Sequence, residues 1–287
     1  MLVTLKEILE IAEERKIAVG SFNTPNLESL MAVIGGAKEL GVPVIIQFAQ
    51  CHEPWIPLSV IGPIMVEHAK RAEVPVCVHL DHGETLEYLQ QALDMGFTGI
   101  MYDGSVLPYE ENRENTKAAA MAAKTGAGVE AELGSMGKRE SGAGDGTGAE
   151  DETKIYTDPA LAKRFVEETG IDALACSFGT THGIYLTKPK LDFNVVRKVR
   201  KLTDEIPVVM HGGSGVSRED FREAVRAGVR KVNYFTYMDK GGGSAAAEYI
   251  QTVKAGEPVF FSSVIQEAEK AMKENVKEAM KTFAMMD

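Results

Sequence analysis

Cysteine, tryptophan and long apolar runs are scarce in this sequence of 287 residues, and each scarcity argues against a class of protein. The sequence has three cysteines, Cys51, Cys77 and Cys176, and one tryptophan, Trp55. Three widely spaced cysteines do not make the disulfide framework of a small secreted domain, so a reducing cytoplasm is the expected compartment. No apolar run approaches the roughly 20 residues that span a bilayer. The first residues lead into an acidic amphipathic helix rather than a signal peptide.

Positive charge is also in short supply. There are 31 Lys and Arg against 42 Asp and Glu, which gives a formal net charge of −11. No basic run offsets this balance, so a nucleic-acid surface is not expected. A phosphorylated substrate remains compatible with it, because a local site can be positive on an acidic protein. The hydrophobic content of 44% and the charged content of 25% are those of an ordinary soluble globular protein.

Short apolar segments alternate with helical patterns along the whole sequence. This alternation predicts a parallel sheet that is buried on both faces. Eight such repeats in about 250 residues are typical of a (β/α)8 TIM barrel. We therefore expect a single barrel domain over residues 1–287, with an N-terminal helix and extra C-terminal helices. The predicted strands cover residues 17–22, 42–46, 74–78, 99–102, 128–133, 173–177, 206–210 and 232–234.

The predicted helices carry recognisable start signals. Thr4 and Glu7 form a capping box, and Asp158 precedes Pro159 at a first helical position. The alternative fold is a doubly wound open sheet, which usually has a Gly-rich dinucleotide turn after its first strand, and residues 20–24 do not form one. The predicted helices cover residues 4–16, 27–40, 58–71, 84–95, 110–124 and 193–202, with others beginning near residues 159, 218, 245 and 264.

One connection is much longer than the others. Residues 134–156, after the fifth strand, are dense in glycine and charge. A loop of this length inside a compact domain is usually a lid or is disordered, and the sequence supports both interpretations.

Candidate functional residues collect where the predicted strands end, which is where barrel enzymes carry their chemistry. His82, His182 and His211 follow strands three, six and seven, and three neutral imidazoles with an open position describe a catalytic zinc site. A single histidine at such a place would more often be structural. The other strand-end candidates are Asn23, Gln47, Asp81, residues 103–105, Glu132, residues 179–183, residues 212–215 and residues 233–236.

Two Gly-rich turns add a candidate phosphate site. Residues 211–215 read HGGSG and lead into a helix N-terminus, where backbone N–H groups favour an anion. Asn233 and Thr236 add polar donors after strand eight. The alternative is a tight turn that needs glycine only for its backbone angles. A Schiff-base mechanism is disfavoured, because Lys188 lies in a loop and Lys231 is expected to begin its strand at the opposite face of the barrel.

Taken together, these motifs resemble one known family. HLDHG at 79–83, GFTGIMYDGS at 96–105, VEAELG at 129–134, TGIDALACSFGTTHGIY at 169–185 and HGGSG at 211–215 are similar to the class II, zinc-dependent ketose-bisphosphate aldolases. That family includes the fructose- and tagatose-bisphosphate aldolases. The resemblance implies a zinc-bound barrel, usually a dimer or tetramer. Such an enzyme reversibly cleaves a phosphorylated ketose to dihydroxyacetone phosphate and an aldehyde.

The resemblance also implies roles for individual residues. His82, His182 and His211 would bind zinc with the carboxylate of Glu132 nearby, and Asp81 would take the proton from the C4 hydroxyl. Family members often hold a monovalent cation, Na⁺ or K⁺, beside the phosphate. The positions that match the dihydroxyacetone phosphate site are Gly183, Gly212, Ser214, Asn233 and Thr236, and Asn23 and Gln47 are further substrate-binding candidates.

Several positions depart from the family pattern and bear on substrate identity. The loop glutamate that exchanges the proton at C3 is matched by Glu140, and the alternatives are Asp145, Glu150 and Asp151. Ala49 stands where the family has serine. Phe235 and Tyr237 replace two acidic residues near the phosphate and the cation. The alternatives are therefore an aldolase for another keto-sugar or sugar-acid phosphate, such as 6-phospho-5-dehydro-2-deoxygluconate, a non-catalytic aldolase paralogue, or a metal hydrolase.

Overall fold

Parallel strands close into a barrel in the computed structural model, which describes residues 1–123, 126–134, 156–180 and 189–287. The strands are β1 (Val19–Asn23), β2 (Val44–Ala49), β3 (Val76–Gly83), β4 (Gly99–Tyr102), β5 (Gly128–Leu133), β6 (Ala173–Cys176), β7 (Val208–Met210) and β8 (Val229–Tyr234). They pair in sequence order, and β1 also pairs with β8. The predicted TIM barrel is confirmed.

Helices cover the outside of the barrel. They are α1 (Leu5–Arg15), α2 (Leu27–Leu40), α3 (Leu58–Arg71), α4 (Leu86–Asp94), α5 (Tyr109–Ala122), α6 (Pro159–Thr169), α7 (Phe193–Leu202), α8 (Arg218–Ala227), α9 (Thr236–Thr252) and α10 (Phe261–Phe283). Helix α1 precedes the barrel, α2 to α8 each follow one strand, and α9 and α10 follow β8. Across the described ranges, none of the helices has the length and apolar character needed to cross a membrane.

The barrel interior changes from apolar to polar along its axis. At the N-terminal end, Ile45 and Cys77 pack against Leu5 and Ile8 of α1. Because side chains alternate along a strand, every second residue of a strand points to the same side. Toward the C-terminal end many buried strand residues are polar, and these are Ser21, Asn23, Gln47, His79, Asp81, Glu130, Glu132, Lys231 and Asn233. Burying so many polar groups costs free energy unless they bind one another or a ligand.

Strand β8 begins three residues earlier than predicted, at Val229. Arg230 and Lys231, the second and third residues of this strand, are charged, so the apolar pattern does not reveal its start. In the structure, Lys231 is fully buried and its Nζ lies 2.8 Å from Glu130 Oε2. The prediction that Lys231 lies at the opposite face of the barrel was therefore wrong, since a buried partner on β5 stabilises its charge.

Helix α9 also begins earlier than predicted, at Thr236 instead of near residue 245. Three consecutive glycines, residues 241–243, lie within this helix, although glycine disfavours helix interiors. Packing against α10 outweighs that preference. A Cβ added to Gly242 would lie 2.9 Å from Met272 Cγ, so the glycine lets the two helices approach closely.

Candidate metal and catalytic site

Asp81 and His82 are neighbours in β3, and both side chains reach the same polar cluster. On a regular strand they would point to opposite faces. His82 has a φ of 47°, and the pairing of β3 with β4 shifts its register between Leu80 and Gly83. This bulge turns His82 toward the side that Asp81 occupies.

Gly83 serves the bulge by its size. A Cβ at this position would lie 2.3 Å from Leu89 Cδ1 and 3.0 Å from the carbonyl oxygen of Met101. No residue with a side chain fits there without displacing α4 or β4. The left-handed backbone needed by the bulge is therefore carried by His82 itself, and the adjacent glycine supplies the space.

The imidazoles of His82 and His211 face each other across the mouth of the barrel. His82 Nδ1 lies 2.7 Å from Asp103 Oδ2, and His211 Nε2 lies 2.7 Å from Glu130 Oε1. A carboxylate only accepts hydrogen bonds, so these two ring nitrogens carry the protons. The other two, His82 Nε2 and His211 Nδ1, are 3.2 Å apart. With their ring protons on the other nitrogens, both of these nitrogens could bind one metal cation.

A buried carboxylate completes this donor set. Glu132 Oε2 lies 3.7 Å from His211 Nδ1 and accepts no hydrogen bond from the described part of the chain. Burial, with the nearby charge of Asp103, raises the pKa of Glu132 well above its ordinary value. An unsatisfied carboxylate oxygen beside two imidazole nitrogens suits zinc. Ligand atoms of Asp81, His82 and His211 all lie within 4.8 Å of one another, as do those of His82, Asp103 and Glu132.

Side-chain amides surround the carboxylate of Asp81. Asn233 Nδ2 donates to Oδ1 at 3.1 Å, while Asn23 Nδ2 and Gln47 Nε2 donate to Oδ2 at 3.1 and 3.0 Å. Burial alone would raise the pKa of Asp81, but the neighbouring His82 and Lys231 outweigh burial and hold that pKa below its usual range. Asp81 is therefore a carboxylate at neutral pH, able to accept a proton.

A second layer of charged residues lies below this site. Lys231 Nζ contacts Glu130 Oε2 at 2.8 Å and donates to Asn233 Oδ1 at 2.7 Å. Burial raises the pKa of Glu130, but Lys231 and His211 lower it to about 2. Burial, followed by the charge of Lys231, lowers the pKa of His79 to about 3, so this imidazole is neutral.

Sequence reasoning missed Glu130 and Lys231 as members of the site. The signal that identifies them is strand periodicity. Glu130 lies two residues before Glu132, and Lys231 lies two residues before Asn233, so each pair projects to one side of its strand. Asp103 was among the strand-end candidates without being selected, and the structure places it on His82.

The Gly-rich turn after β7 packs against the end of β8. Gly212 has a φ of 65°, and a Cβ on Gly213 would lie 2.9 Å from the carbonyl oxygen of Asn233. Ser214 is buried in this turn, and Thr236 is the half-buried first residue of α9. Among the described residues, neither hydroxyl is hydrogen-bonded to the amides around Asp81. Of the predicted phosphate-binding positions, the described ones, Gly212, Ser214, Asn233 and Thr236, thus share one edge of the barrel without forming one network.

Several predicted site residues lie outside the described ranges. These are His182 and Gly183 within residues 181–188, and Glu140 with its alternatives Asp145, Glu150 and Asp151 within residues 135–155. Their roles, and the predicted lid, stay predictions.

An aromatic cluster forms part of the rim of the barrel mouth. His52, in a 3-10 turn directly after β2, stacks on Trp55 with ring centroids 4.6 Å apart. Phe235, directly after β8, lies 5.0 Å from His52. Trp55 is 64% exposed, so its ring borders the solvent above the site. This packing explains why His52 is buried.

Comparisons with known proteins point to one family. The family profile described as "Fructose-bisphosphate aldolase class-II" matches residues 3–287. The fructose-bisphosphate aldolase of Staphylococcus aureus (strain Mu50) is 36% identical over 287 residues, covering 98% of this chain and 97% of that protein. The Staphylococcus epidermidis enzyme (strain ATCC 12228) is 35% identical over 288 residues, with the same coverage of both chains.

Solved structures agree with this match. The YdjI aldolase of Escherichia coli K12 superposes with a TM-score of 0.86 at 34% identity, covering 99% of this chain and 97% of that one. Fructose-bisphosphate aldolase of Campylobacter jejuni gives a TM-score of 0.78 at 24% identity, covering 99% and 96%, and supports the fold alone. Aldolases of this class are carbon–carbon lyases and are generally metal-dependent. The described residues also bring together His and Asp side chains that could hold a metal. The chain belongs to the class II fructose-bisphosphate aldolase family.

Proposed function

We propose that this protein is a zinc-dependent aldolase that reversibly cleaves a phosphorylated ketose, of the fructose- or tagatose-1,6-bisphosphate type, to dihydroxyacetone phosphate and an aldehyde. One observation carries the proposal. Asp81 Oδ1 lies 3.9 Å from His82 Nε2, beside the facing imidazoles of His82 and His211. A base next to a metal-type site is what aldol cleavage of a hydroxyketone requires.

The residues divide the reaction among them. His82 and His211 would hold zinc, with Glu132 beside them and His182 as the third predicted ligand. Bound zinc supplies Lewis-acid stabilisation of the negative charge that develops on the ketone oxygen.

Asp81 accepts the proton of the C4 hydroxyl as the C3–C4 bond breaks. The O–H electron pair forms the aldehyde carbonyl, and the electron pair of the C3–C4 bond stays on the ketone half. Asn23, Gln47 and Asn233 keep the carboxylate in place during this transfer. Glu140 is the residue predicted to return a proton to C3.

The phosphate of dihydroxyacetone phosphate is proposed to bind between the turn after β7 and the start of α9. Backbone N–H groups at both helix starts favour an anion there. Gly183, Gly212, Ser214, Asn233 and Thr236 are the proposed contacts. The proposal of a Na⁺ or K⁺ ion beside the phosphate rests on the family resemblance, because Phe235 and Tyr237 supply no carboxylate for it.

The proposal is tested with purified protein whose zinc content is quantified. Cleavage of fructose- and tagatose-1,6-bisphosphate is followed before and after dialysis against a chelator, and after zinc is restored. We expect turnover to disappear with the metal and to return with it. Full turnover by zinc-free protein would contradict the metal role. A zinc-loaded protein without turnover on any ketose phosphate would favour the non-catalytic paralogue.

A second candidate is an aldolase for a different keto-sugar or sugar-acid phosphate, such as 6-phospho-5-dehydro-2-deoxygluconate. The aromatic cluster of His52, Trp55 and Phe235 favours it, because aromatic rings pack well against the apolar face of a sugar and bind a second phosphate poorly. A screen of aldehyde acceptors with dihydroxyacetone phosphate separates the two candidates. Preference for an acceptor without a terminal phosphate would favour the second.

We further propose that the protein forms a homodimer or homotetramer, in the cytoplasm. Val259, Phe260 and Phe261 are 47%, 61% and 77% exposed at the start of α10, and exposed apolar patches often mark interfaces. The buried thiols of Cys77 and Cys176 suit a reducing compartment. One domain over residues 1–287, acting on a small phosphorylated sugar rather than on nucleic acid or a membrane, completes the proposal.

A further inference from the structure

A buried lysine lies below the site, and the proposed reaction gives it no role. Lys231 is fully buried, with Nζ 2.8 Å from Glu130 Oε2 and 2.7 Å from Asn233 Oδ1. Well-packed apolar residues often stabilise a protein as much as a buried ion pair does. The pair therefore calls for a reason other than stability.

Through Glu130, Lys231 is connected to the imidazole of His211. Glu130 Oε1 accepts the proton on His211 Nε2 at 2.7 Å, while its other oxygen is bound by Lys231. This holds the His211 ring so that Nδ1 faces His82. A carboxylate partner of this kind fixes both the orientation and the tautomer of a metal-binding histidine.

Through Asn233, Lys231 is connected to the carboxylate of Asp81. Lys231 donates to Asn233 Oδ1, and Asn233 Nδ2 donates to Asp81 Oδ1 at 3.1 Å. A flipped Asn233 amide would place its oxygen against the carboxylate and its NH₂ group against the ammonium. Both contacts would then be repulsive, so Lys231 selects the amide orientation that supports the base.

We propose that Lys231 is a positioning residue that couples the two halves of the site, orienting His211 through Glu130 and Asp81 through Asn233. The proposal rests on the proposed functions of His211 as a metal ligand and Asp81 as the base. Lys231 itself does not touch substrate, because its side chain is fully buried beneath these residues. The competing interpretation is that the lysine only neutralises a buried carboxylate.

Three variants separate the two interpretations: Lys231→Met, Glu130→Gln and the double variant. Lys231→Met alone should be strongly destabilised, because it leaves the Glu130 carboxylate buried without its counter-ion. The double variant removes both charges, so we expect it to regain most of that stability in chemical unfolding. If Lys231 only neutralises Glu130, the double variant should also keep wild-type zinc affinity and wild-type kcat.

If Lys231 positions His211 and Asp81, the double variant should lose zinc affinity and activity even though it is stable. In the double variant we expect zinc affinity, measured by competition with a chromogenic chelator, to be about 10- to 100-fold weaker than in the wild type. We expect kcat for ketose cleavage to fall at least about tenfold with KM changed less than about threefold, since the loss concerns groups that act in the transition state. The zinc measurement needs no turnover.

Arg230→Met is the matched control. Arg230 directly precedes Lys231 on β8, is also buried, and its Nε lies 2.5 Å from Glu13 Oε2 on α1. This variant should lose stability while zinc affinity and kcat stay at wild-type values. It distinguishes loss of any buried ion pair on β8 from loss of the one under the site.

A stable double variant with wild-type zinc affinity and wild-type kcat would overturn the proposal. Should the double variant not fold, Glu130→Gln alone carries the test, because its amide oxygen can take the place of Glu130 Oε2 beside Lys231 Nζ. Weaker zinc binding is then expected, and wild-type zinc affinity would overturn the proposal that His211 is oriented through Glu130. If zinc-loaded wild-type protein shows no aldolase turnover, the proposed function fails. The zinc affinities of the variants still test whether His211 is oriented through Glu130.

Discussion

Asp81 owes its chemistry to the side chains that hold it. Asn23, Gln47 and Asn233 donate to its two oxygens from three different strands. Amide donors stabilise the carboxylate without removing its capacity to accept a proton, whereas a direct bond to an arginine would compete with the substrate. The residue is thereby kept charged in a buried place.

Asp81→Ala tests this assignment. We expect kcat to fall by about 10²- to 10⁴-fold, the usual contribution of a general base, with zinc content unchanged. Zinc is quantified on the purified variant and cleavage is followed at saturating substrate. His211→Ala is the comparison, since it should lose the metal as well. Loss of zinc from Asp81→Ala would make Asp81 a ligand instead of a base.

Asp103 contacts the proposed metal site through His82. Its Oδ2 lies 2.7 Å from His82 Nδ1, and burial, which by itself raises its pKa, is outweighed by His82 and Ser105, which hold that pKa below its usual range. Asp103→Asn should weaken zinc binding by about 10- to 100-fold, as the loss of such a partner usually does. Chelator competition measures the change.

Asp172→Asn is the control for that experiment. Asp172 Oδ2 accepts a hydrogen bond from the backbone of Val129 at 2.8 Å, at the start of β5 and the opposite end of the barrel from the site. Zinc affinity should stay unchanged in this variant. An equal loss in both variants would show that the effect of Asp103→Asn is not local.

At the scale of elements, β3 decides whether the site forms. Its bulge brings Asp81 and His82 to the same cluster, and Gly83 leaves room for it against α4. An added methyl group there must push Leu89 or the strand aside. The same strand would present only one of the two residues if its pairing were regular.

Gly83→Ala should therefore lower the free energy of unfolding by about 1–3 kcal/mol, the usual cost of overpacking, and reduce zinc affinity. Gly243→Ala is the control, because a Cβ on this exposed residue of α9 meets nothing within 4 Å. It should raise stability by about 0.5–1 kcal/mol. Urea unfolding measures the stability of both variants. An unchanged free energy of unfolding for Gly83→Ala would mean that α4 moves to accommodate the added methyl group without cost.

Helix α1 is joined to the barrel by Glu13, which contacts Arg200 at 2.8 Å and Arg230 at 2.5 Å. Burial raises the pKa of Glu13, but hydrogen bonds from Arg230 and Lys16 outweigh burial and lower it to about 2, from a usual value of 4.5. A lowered pKa means that the contribution to stability is complete above pH 4.5 and is lost as pH falls toward about 2.

Glu13→Gln should accordingly be less stable than the wild type at neutral pH, with the difference shrinking between about pH 4.5 and pH 2. Unfolding curves across that range measure it. A difference that does not change with pH would show that Glu13 acts by packing rather than by charge.

At the scale of the whole molecule, the chain carries a net charge of −11 and an apolar patch at the start of α10. Like charge keeps copies apart, so association has to be driven by a local apolar contact. Replacing Phe260 and Phe261 together by serine should shift the protein toward monomer in light scattering. Trp55→Ser, which removes another exposed aromatic residue, should leave the mass unchanged. A monomeric wild type would contradict the proposed oligomer.

Much of the fold follows from local patterns. The strand predicted over residues 128–133 coincides with β5, and the helical spacing of residues 58–71 coincides with α3. Such periodicity is a property of neighbouring residues and can be read from them directly. The start of β8 could not be read in this way, because Lys231 is tolerated in a buried strand only through Glu130, which lies about a hundred residues away.

The sequence by itself determined the barrel and the set of polar residues at its C-terminal end, because alternation and strand ends are local features. Only the tertiary structure decided which atoms meet. His82 and His211 are 129 positions apart in the sequence, and Asp81 and Asn233 are 152 positions apart, yet the side chains of each pair are in contact. Those contacts depend on barrel closure and on the register shift in β3, which arise from the packing of all the strands at once.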